Sequence, residues 1–264
     1  MSTTKTNRHD LASLYGLKAI VTGGTSGIGA AVTEQFAHHG VSVGILDLTP
    51  DSAAAASPRI HSYTVDLRDD SATNQAVRDA VRDMGGLDIV VNNAGIGAEG
   101  TVEDNIDEQW RCVLDVNVQA VARVTRAALP YLRKSDHAAI VNTCSIAATV
   151  GLPNRVLYSA SKGAVYSMTL AMAADHIHEG IRVNCVNPGT ADTPWIDRLL
   201  ASADDPAAEK AALEARQPSG RLIQAEEIAS TIVFLASPAA SGITGSAVAV
   251  DGGMQGLRLR PPNT

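Results

Sequence analysis

Tyr158 and Lys162 stand four residues apart in Tyr-Ser-Ala-Ser-Lys, within a stretch that reads as helix over 158–179. At positions i and i+4 their side chains share one helix face. A phenol is a weak base at its ordinary pKa of about 10. An ammonium one turn away favours the phenolate and brings the phenol toward use at neutral pH. Beside a hydride acceptor, such a base can take the proton of an alcohol, or return one to a ketone. Ser145 lies 13 residues before the tyrosine. Its hydroxyl can hydrogen-bond a substrate oxygen and hold it beside Tyr158. A half-buried helix tyrosine next to a surface lysine has the same spacing, so the surroundings must decide.

The hydride acceptor needs a cradle. Thr22-Gly23-Gly24-Thr25-Ser26-Gly27-Ile28-Gly29 follows the apolar run Ala19–Val21 and opens a helical stretch over 30–39. In that context Gly23 allows a tight turn, Gly27 a close backbone approach, and Gly29 close helix–sheet packing. The N–H groups of Ser26, Gly27 and Ile28 then face a pyrophosphate at a helix N-terminus. The spacing is G-x-x-x-G-x-G rather than the commoner G-x-G-x-x-G, and an unliganded strand–helix turn can carry the same glycines. Asp47 ends the second apolar run, 18 residues after Gly29. An acid there accepts from a ribose 2′-OH and repels a 2′-phosphate; a loop-capping Asp is the alternative. No Lys or Arg lies in Gly23–Gly29 or directly after Asp47. The cofactor expected is therefore NAD.

These groups must be positioned by elements, and the chain alternates short apolar runs with amphipathic stretches. Strands are expected at Ala19–Val21, Val41–Leu46, Ile60–Val65, Leu87–Val91, Ala138–Cys144, Ile181–Val186 and Ala247–Val250. Between them, Ser71–Met84, Asp107–Tyr131, Tyr158–Glu179 and Glu226–Ala236 read as helix. The third of these stretches back from the C-terminus, Asp107–Tyr131, is one long helix or two abutting ones, stopped near Pro130. The order predicts an α/β fold: a single Rossmann-type, doubly wound parallel sheet of about seven strands with helices on both faces. Aromatic residues are only 3%, so Ala, Val, Leu and Ile must build the core. The division expected is an N-terminal extension over 1–16, a dehydrogenase-type domain over 17–253, and a tail over 254–264. Residues 190–220 carry Pro194, Pro206 and Pro218 between Ala/Glu-rich pieces and read as a helical insertion or lid.

A net charge of −7 argues against a nucleic-acid partner. Residues 1–16 hold no apolar h-region and no run suits a membrane span, so a cytoplasmic location is expected. Cys112, Cys144 and Cys185 show no metal or disulfide spacing and read as reduced thiols. Cys144 has no histidine placed to activate it. The seven histidines are scattered, and no metal site is expected.

Asn92-Asn93-Ala94-Gly95 follows the fourth strand, Ser145 the fifth, and Pro188-Gly189 the sixth. With the glycine turn and Tyr-x-x-x-Lys, these motifs resemble the short-chain dehydrogenase/reductase family over residues 15–253. The resemblance implies a catalytic set of Asn117, Ser145, Tyr158 and Lys162. Asn117 would hold a water next to Lys162, and Lys162 would also reach the nicotinamide ribose. It implies Asp66 and Leu67 beside the adenine, and Asn93, Ala94 and Gly95 along the cofactor groove. Pro188, Gly189, Ala191 and Thr193 would meet the nicotinamide end. It also implies a homotetramer.

Pro153-Asn154-Arg155, Asn187–Pro194 and 216–221 resemble a subgroup of small-acid dehydrogenases. That subgroup includes the cytosolic type of 3-hydroxybutyrate dehydrogenase and the 2-keto-3-deoxy-sugar-acid dehydrogenases. The likeness gives Arg155 and Arg216 the substrate carboxylate, a task guanidinium suits; Arg198 departs from the pattern by about one position. Solvated loop arginines are the alternative. The substrate expected is a small hydroxy acid or deoxy-sugar acid. Competing readings are a 3-oxoacyl-thioester reductase, which the same four residues serve, and a non-catalytic NAD-binding regulator. The tail, with Arg258 and Arg260, is either solvated or reaches a neighbouring subunit's site.

Overall fold

Strands buried between two helix layers need apolar side chains on both faces. Lys18–Thr22 (β1), Ile89–Asn92 (β4) and Ala139–Thr143 (β5) meet that need, every residue but Lys18 being buried. In the computed structural model, which describes residues 14–49, 57–201 and 203–260, they form the centre of the sheet. Ser42–Asp47 (β2), Ile60–Thr64 (β3), Arg182–Pro188 (β6) and Ala247–Val250 (β9) complete it. The order is β3-β2-β1-β4-β5-β6-β9 and every pair is parallel. This is the doubly wound Rossmann-type sheet that the pattern predicts.

Gly27–His38 (α1) and Ala225–Ala236 (α8) cover one face. Val32, Phe36, Ile228 and Ile232 pack there on Ala19, Val21, Ile89 and Val91. On the other face, Asp70–Met84 (α2) and Ala120–Leu132 (α4) bring Val77, Ala80, Val124 and Ala128 onto Ile20, Val90 and Ile140. Neighbouring strand residues thus feed opposite cores, as the two-residue strand period requires. Val156–His176 (α5) packs on β6. Leu14, expected in the N-terminal extension, is fully buried in the first core; residues 1–13 lie outside the described part. No helix among the described residues is long and apolar enough to cross a membrane.

The stretch expected over 107–131 as one long helix or two abutting ones is two, Asp107–Leu114 (α3) leading into α4 through a π-helical turn, Asp115–Gln119, that the pattern did not predict. α4 stops at Leu132, two residues past Pro130. So near the C-terminal end, the lost N–H removes one bond and the last turn closes through Arg133 N to Leu129 O at 3.0 Å.

The insertion is a small helical cap. Pro194–Ala201 (α6) and Pro206–Ala215 (α7) pack through Ile196, Leu213 and Leu222. Its two ends are pinned together by a feature that the pattern did not predict. Ala191–Asp192 (β7) pairs in parallel with Ile223–Gln224 (β8). Buried Gln217 adds two bonds across the same base, donating to Thr190 O at 3.3 Å and Arg221 O at 2.7 Å.

Candidate active site

In an open parallel sheet the crevice lies at the C-terminal ends of the strands where the order reverses. Here that point is between β1 and β4. The loops after them are stitched together. Thr22 Oγ1 accepts from Asn93 N at 2.9 Å and Ala94 N at 3.0 Å. Asn93 Nδ2 donates to Gly23 O at 3.1 Å. Gly23 and Gly27 have φ of +63° and +53°, the left-handed region that favours glycine. A Cβ on Gly29 would overlap the carbonyl oxygen of Gly23.

The N-terminus of α1 fits an external anion. Asp69 caps α2 by accepting from Ala72 N, and Asp205 caps α7 by accepting from Ala207 and Ala208 N. Ser26 makes no such side-chain bond, and the first turn of α1 has no acid. The first N–H groups and the positive dipole end are thus left for a ligand. Gly29→Ala should displace the turn by overpacking, at about 1–3 kcal/mol. Expected is a 10- to 100-fold rise in NADH Kd by fluorescence titration, on the scale of about 1.4 kcal/mol per tenfold. Unchanged affinity in a folded variant would remove this turn as the cradle.

A cavity of about 600 Å³ opens on this turn. Its walls include Gly23, Ser26, Gly27, Ile28, Asp47, Asp66, Leu67 and Asn93–Gly95 from the first half of the chain. Ser145, Arg155, Tyr158, Lys162, Pro188, Gly189, Ala191, Thr193 and Arg216 come from the second. Of the expected site residues, only Gly29 and Asn117 stand behind the wall. Asp47 is oriented by Thr25, which donates through Oγ1 at 2.7 Å and N at 3.2 Å, and by Thr49 N at 3.3 Å.

Lys162 is 5% exposed, and its Nζ donates to Thr143 O at 2.8 Å. That carbonyl fixes the ammonium 5.8 Å from the centre of the Tyr158 ring. Ser145 Oγ accepts from Ala147 N at 3.1 Å, which leaves its O–H free to donate. Asn117, 1% exposed, sits in the π-helical turn. Its Nδ2 donates to Ile96 O at 2.9 Å and Ser161 Oγ at 3.0 Å, and its Oδ1 accepts from Ile96 N at 2.8 Å. Ser161 Oγ in turn donates to Tyr158 O at 2.7 Å. The Asn117 side chain thus ties the loop after β4 to the helix bearing Tyr158 and Lys162. With both amide protons engaged, it frames the site rather than lining it.

Several wall residues escaped sequence reading. Arg68 makes a bidentate pair with Asp66, 2.7 Å at its shortest, and its hydrogen bonds hold the Asp66 carboxyl below the usual carboxylate range. Cys112, on α3, is exposed and lines the cavity. Trp195, at the start of α6, lies over Gly97. Only the i, i+2 spacing of Asp66 and Arg68 carried any local signal. Arg155 is engaged already: its Nη2 donates to Glu99 Oε1 at 2.7 Å. Arg198 and Arg216, both on the cavity wall, have no ion-pair partner among the described residues. Arg258 donates to carbonyls of its own tail, Gln255 O and Leu257 O.

Sheet order, glycine turn and the Ser–Tyr–Lys cluster together define a Rossmann-type oxidoreductase. The family model described as "Enoyl-(Acyl carrier protein) reductase" matches residues 23–255. The chain is 39% identical to the cis-4-hydroxycyclohexanecarboxylate dehydrogenase of Sinomonas cyclohexanicum, over 89% of this chain and 95% of that one. It is 34% identical to 2-(S)-hydroxypropyl-CoM dehydrogenase 3 of Xanthobacter autotrophicus, over 90% and 96%. Among solved structures, the 3-ketoacyl-(acyl-carrier-protein) reductase of Brucella melitensis complexed with NADH superposes with a TM-score of 0.83. That match has 33% identity and covers 92% of this chain and 100% of that one. The protein belongs to the short-chain dehydrogenase/reductase family. The small-acid subgroup is not distinguished by these matches, whose named substrates differ widely.

Proposed function

We propose that the protein interconverts a secondary alcohol and its ketone with NAD(H), and that the substrate is a small hydroxy acid or deoxy-sugar acid. The observation that carries this reading is the meeting of Ser145, Tyr158 and Lys162 at the cavity that also opens on the uncapped α1 N-terminus. A dinucleotide would rest its pyrophosphate on Gly23–Gly29, its ribose on Asp47 and its adenine beside Asp66 and Leu67. Asn93–Gly95, Pro188, Gly189, Ala191 and Thr193 would hold the remainder. NAD is favoured over NADP because Asp47 would meet a 2′-phosphate with like charge. When bound, the cofactor supplies the acceptor or donor of the hydride.

The chain supplies the rest. Tyr158 Oη takes the proton from the substrate hydroxyl, and Ser145 Oγ–H donates to the substrate oxygen to align it. The Lys162 ammonium, close by and screened from water, favours the negative phenolate. Asn117 and Ser161 keep the helix face in register with the loop after β4. Arg216, on the cap with no ion-pair partner among the described residues, is offered to the substrate's carboxylate. The cis-4-hydroxycyclohexanecarboxylate dehydrogenase is named for an alcohol of that kind. A homotetramer, checked by light scattering, completes the proposal.

The test is an NADH absorbance screen of the purified protein against hydroxy acids, deoxy-sugar acids, polyols and acyl thioesters, with NAD and NADP in parallel. Turnover of hydroxy acids with NAD is expected. Equal use of NADP would overturn the role given to Asp47, and NAD binding without turnover would favour a regulator. The Brucella reductase favours a second reading, reduction of 3-oxoacyl thioesters, for which the thioester arm is diagnostic. Arg216→Leu should lose a charge-assisted bond of about 1.5–3 kcal/mol. Its KM for acids should rise about 10- to 100-fold while KM for neutral alcohols holds; equal rises for both would remove the carboxylate contact.

A further inference from the structure

The part of the cavity walled by residues 145–158 and by the cap has an unusual chemical bias. Its apolar wall is Ile146, Leu152, Trp195, Leu199 and Leu213, with Met254 beyond. Its charged wall is Arg155, Arg198 and Arg216. Between 145 and 158, and between 193 and 216, no carboxylate, carboxamide or imidazole side chain lines it. The lining acids, Asp47 and Asp66, stand at the other end, after β2 and β3. Arg155 is already paired with Glu99, which leaves Arg198 and Arg216 as the cations of this wall with no ion-pair partner among the described residues.

Guanidinium groups donate only. A substrate hydroxyl brings a donor as well as lone pairs, and its hydrogen needs an acceptor. The side-chain acceptors in this wall are the hydroxyls of Ser145, Tyr158 and Thr193, the first two given to the reacting oxygen; a polyhydroxylated body would leave its further hydrogens facing apolar carbon or other donors, at about 1–3 kcal/mol for each group left unpaired. An alkyl or alicyclic body incurs no such loss and gains by leaving water.

That body also has a ceiling. The Trp195 indole rests on Gly97, where an added Cβ would lie 2.8 Å from Cζ2 and 3.2 Å from Nε1. The indole therefore has no room to sink further toward the sheet. Two residues back, Thr193 Cγ2 would stand 3.3 Å from a Cβ on Gly27. Residues 193–195 thus strap the cap over the glycine turn and over the loop after β4, with the Trp195 indole resting on that loop.

We infer that the substrate is an anion with an apolar body, a branched or alicyclic hydroxy acid rather than a sugar acid, and that Trp195 sets the thickness of the body admitted. This rests on the hydroxy-acid reading above and chooses between its two substrate classes.

The experiment compares kcat/KM with NAD for alicyclic or branched hydroxy acids and for deoxy-sugar acids and aldonates of equal carbon number. With two or more hydroxyls unpaired, preference for the apolar series by about 100-fold or more is expected. Equal or faster turnover of the sugar acids would overturn the inference while leaving the dehydrogenase reading intact. Turnover of neutral alcohols with neither acid series would overturn both the inference and the carboxylate reading beneath it. Trp195→Ala should raise kcat/KM for thick-ringed acids relative to slender chains. A uniform change across the series would remove Trp195 as the selector.

Discussion

Tyr158→Phe should lower kcat by about 100- to 10,000-fold, the usual contribution of one positioned acid–base group, with NADH affinity unchanged. The ring keeps its shape and its place on α5, and only the oxygen that exchanges the substrate proton is removed. The Lys162 ammonium, 5.8 Å from the centre of the ring, keeps an aromatic neighbour in the variant. The measurements are steady-state turnover on the best substrate from the screen, NADH titration by fluorescence, and thermal unfolding. Parent-like turnover in Tyr158→Phe would end the proposed chemistry outright, whatever the substrate.

Lys162→Met should lower kcat by about 100- to 1,000-fold, the range seen when one preorganised electrostatic partner is deleted. Methionine fills the same channel without charge, which separates the electrostatic effect from a packing loss. Two things go at once: the cation beside the phenolate, and the donor to Thr143 O, the bond that fixes where the cation sits. Lys162→Arg should not restore activity. A Cβ placed on Gly95 would lie only 3.4 Å from Nζ and 3.2 Å from Asn117 Oδ1. A planar guanidinium on a longer reach places its donors differently from the single ammonium that Thr143 O fixes. Activity in Lys162→Arg close to that of the parent would mean that the ammonium acts through charge alone and needs no fixed position.

Much of the frame was legible because its causes are local. Short apolar runs such as Ile89–Val91 and Ala139–Val141, set between amphipathic stretches, read as strands covered on both sides. Gly23, Gly27 and Gly29 announced a turn that other residues cannot adopt or fit. Tyr158 and Lys162 share a face because a helix repeats every 3.6 residues. The candidate site was legible in residue types for the same reason, since its motifs sit at strand ends whose order the sequence sets.

What the sequence hid depends on contacts between distant segments. The π-helical turn that aims Asn117 inward looks like ordinary helix from residue types alone. Arg155 reads as a free cation until Glu99, 56 residues earlier, is found against it. Gly97 and Trp195 carry no mark of each other, yet they meet at the cavity wall. Lys162 is steered by a backbone carbonyl, a group every residue has and no sequence can single out.

The amino-acid sequence by itself determined the strands, the glycine turn and the residue types of the candidate site, because periodicity and glycine stereochemistry act over a few neighbouring residues. Only the tertiary structure decided which charges pair, where the ammonium is fixed and what wall the cavity presents. Those are properties of juxtaposition: an ion pair, a buried donor and a steric ceiling exist only once separate segments are brought within a few ångströms.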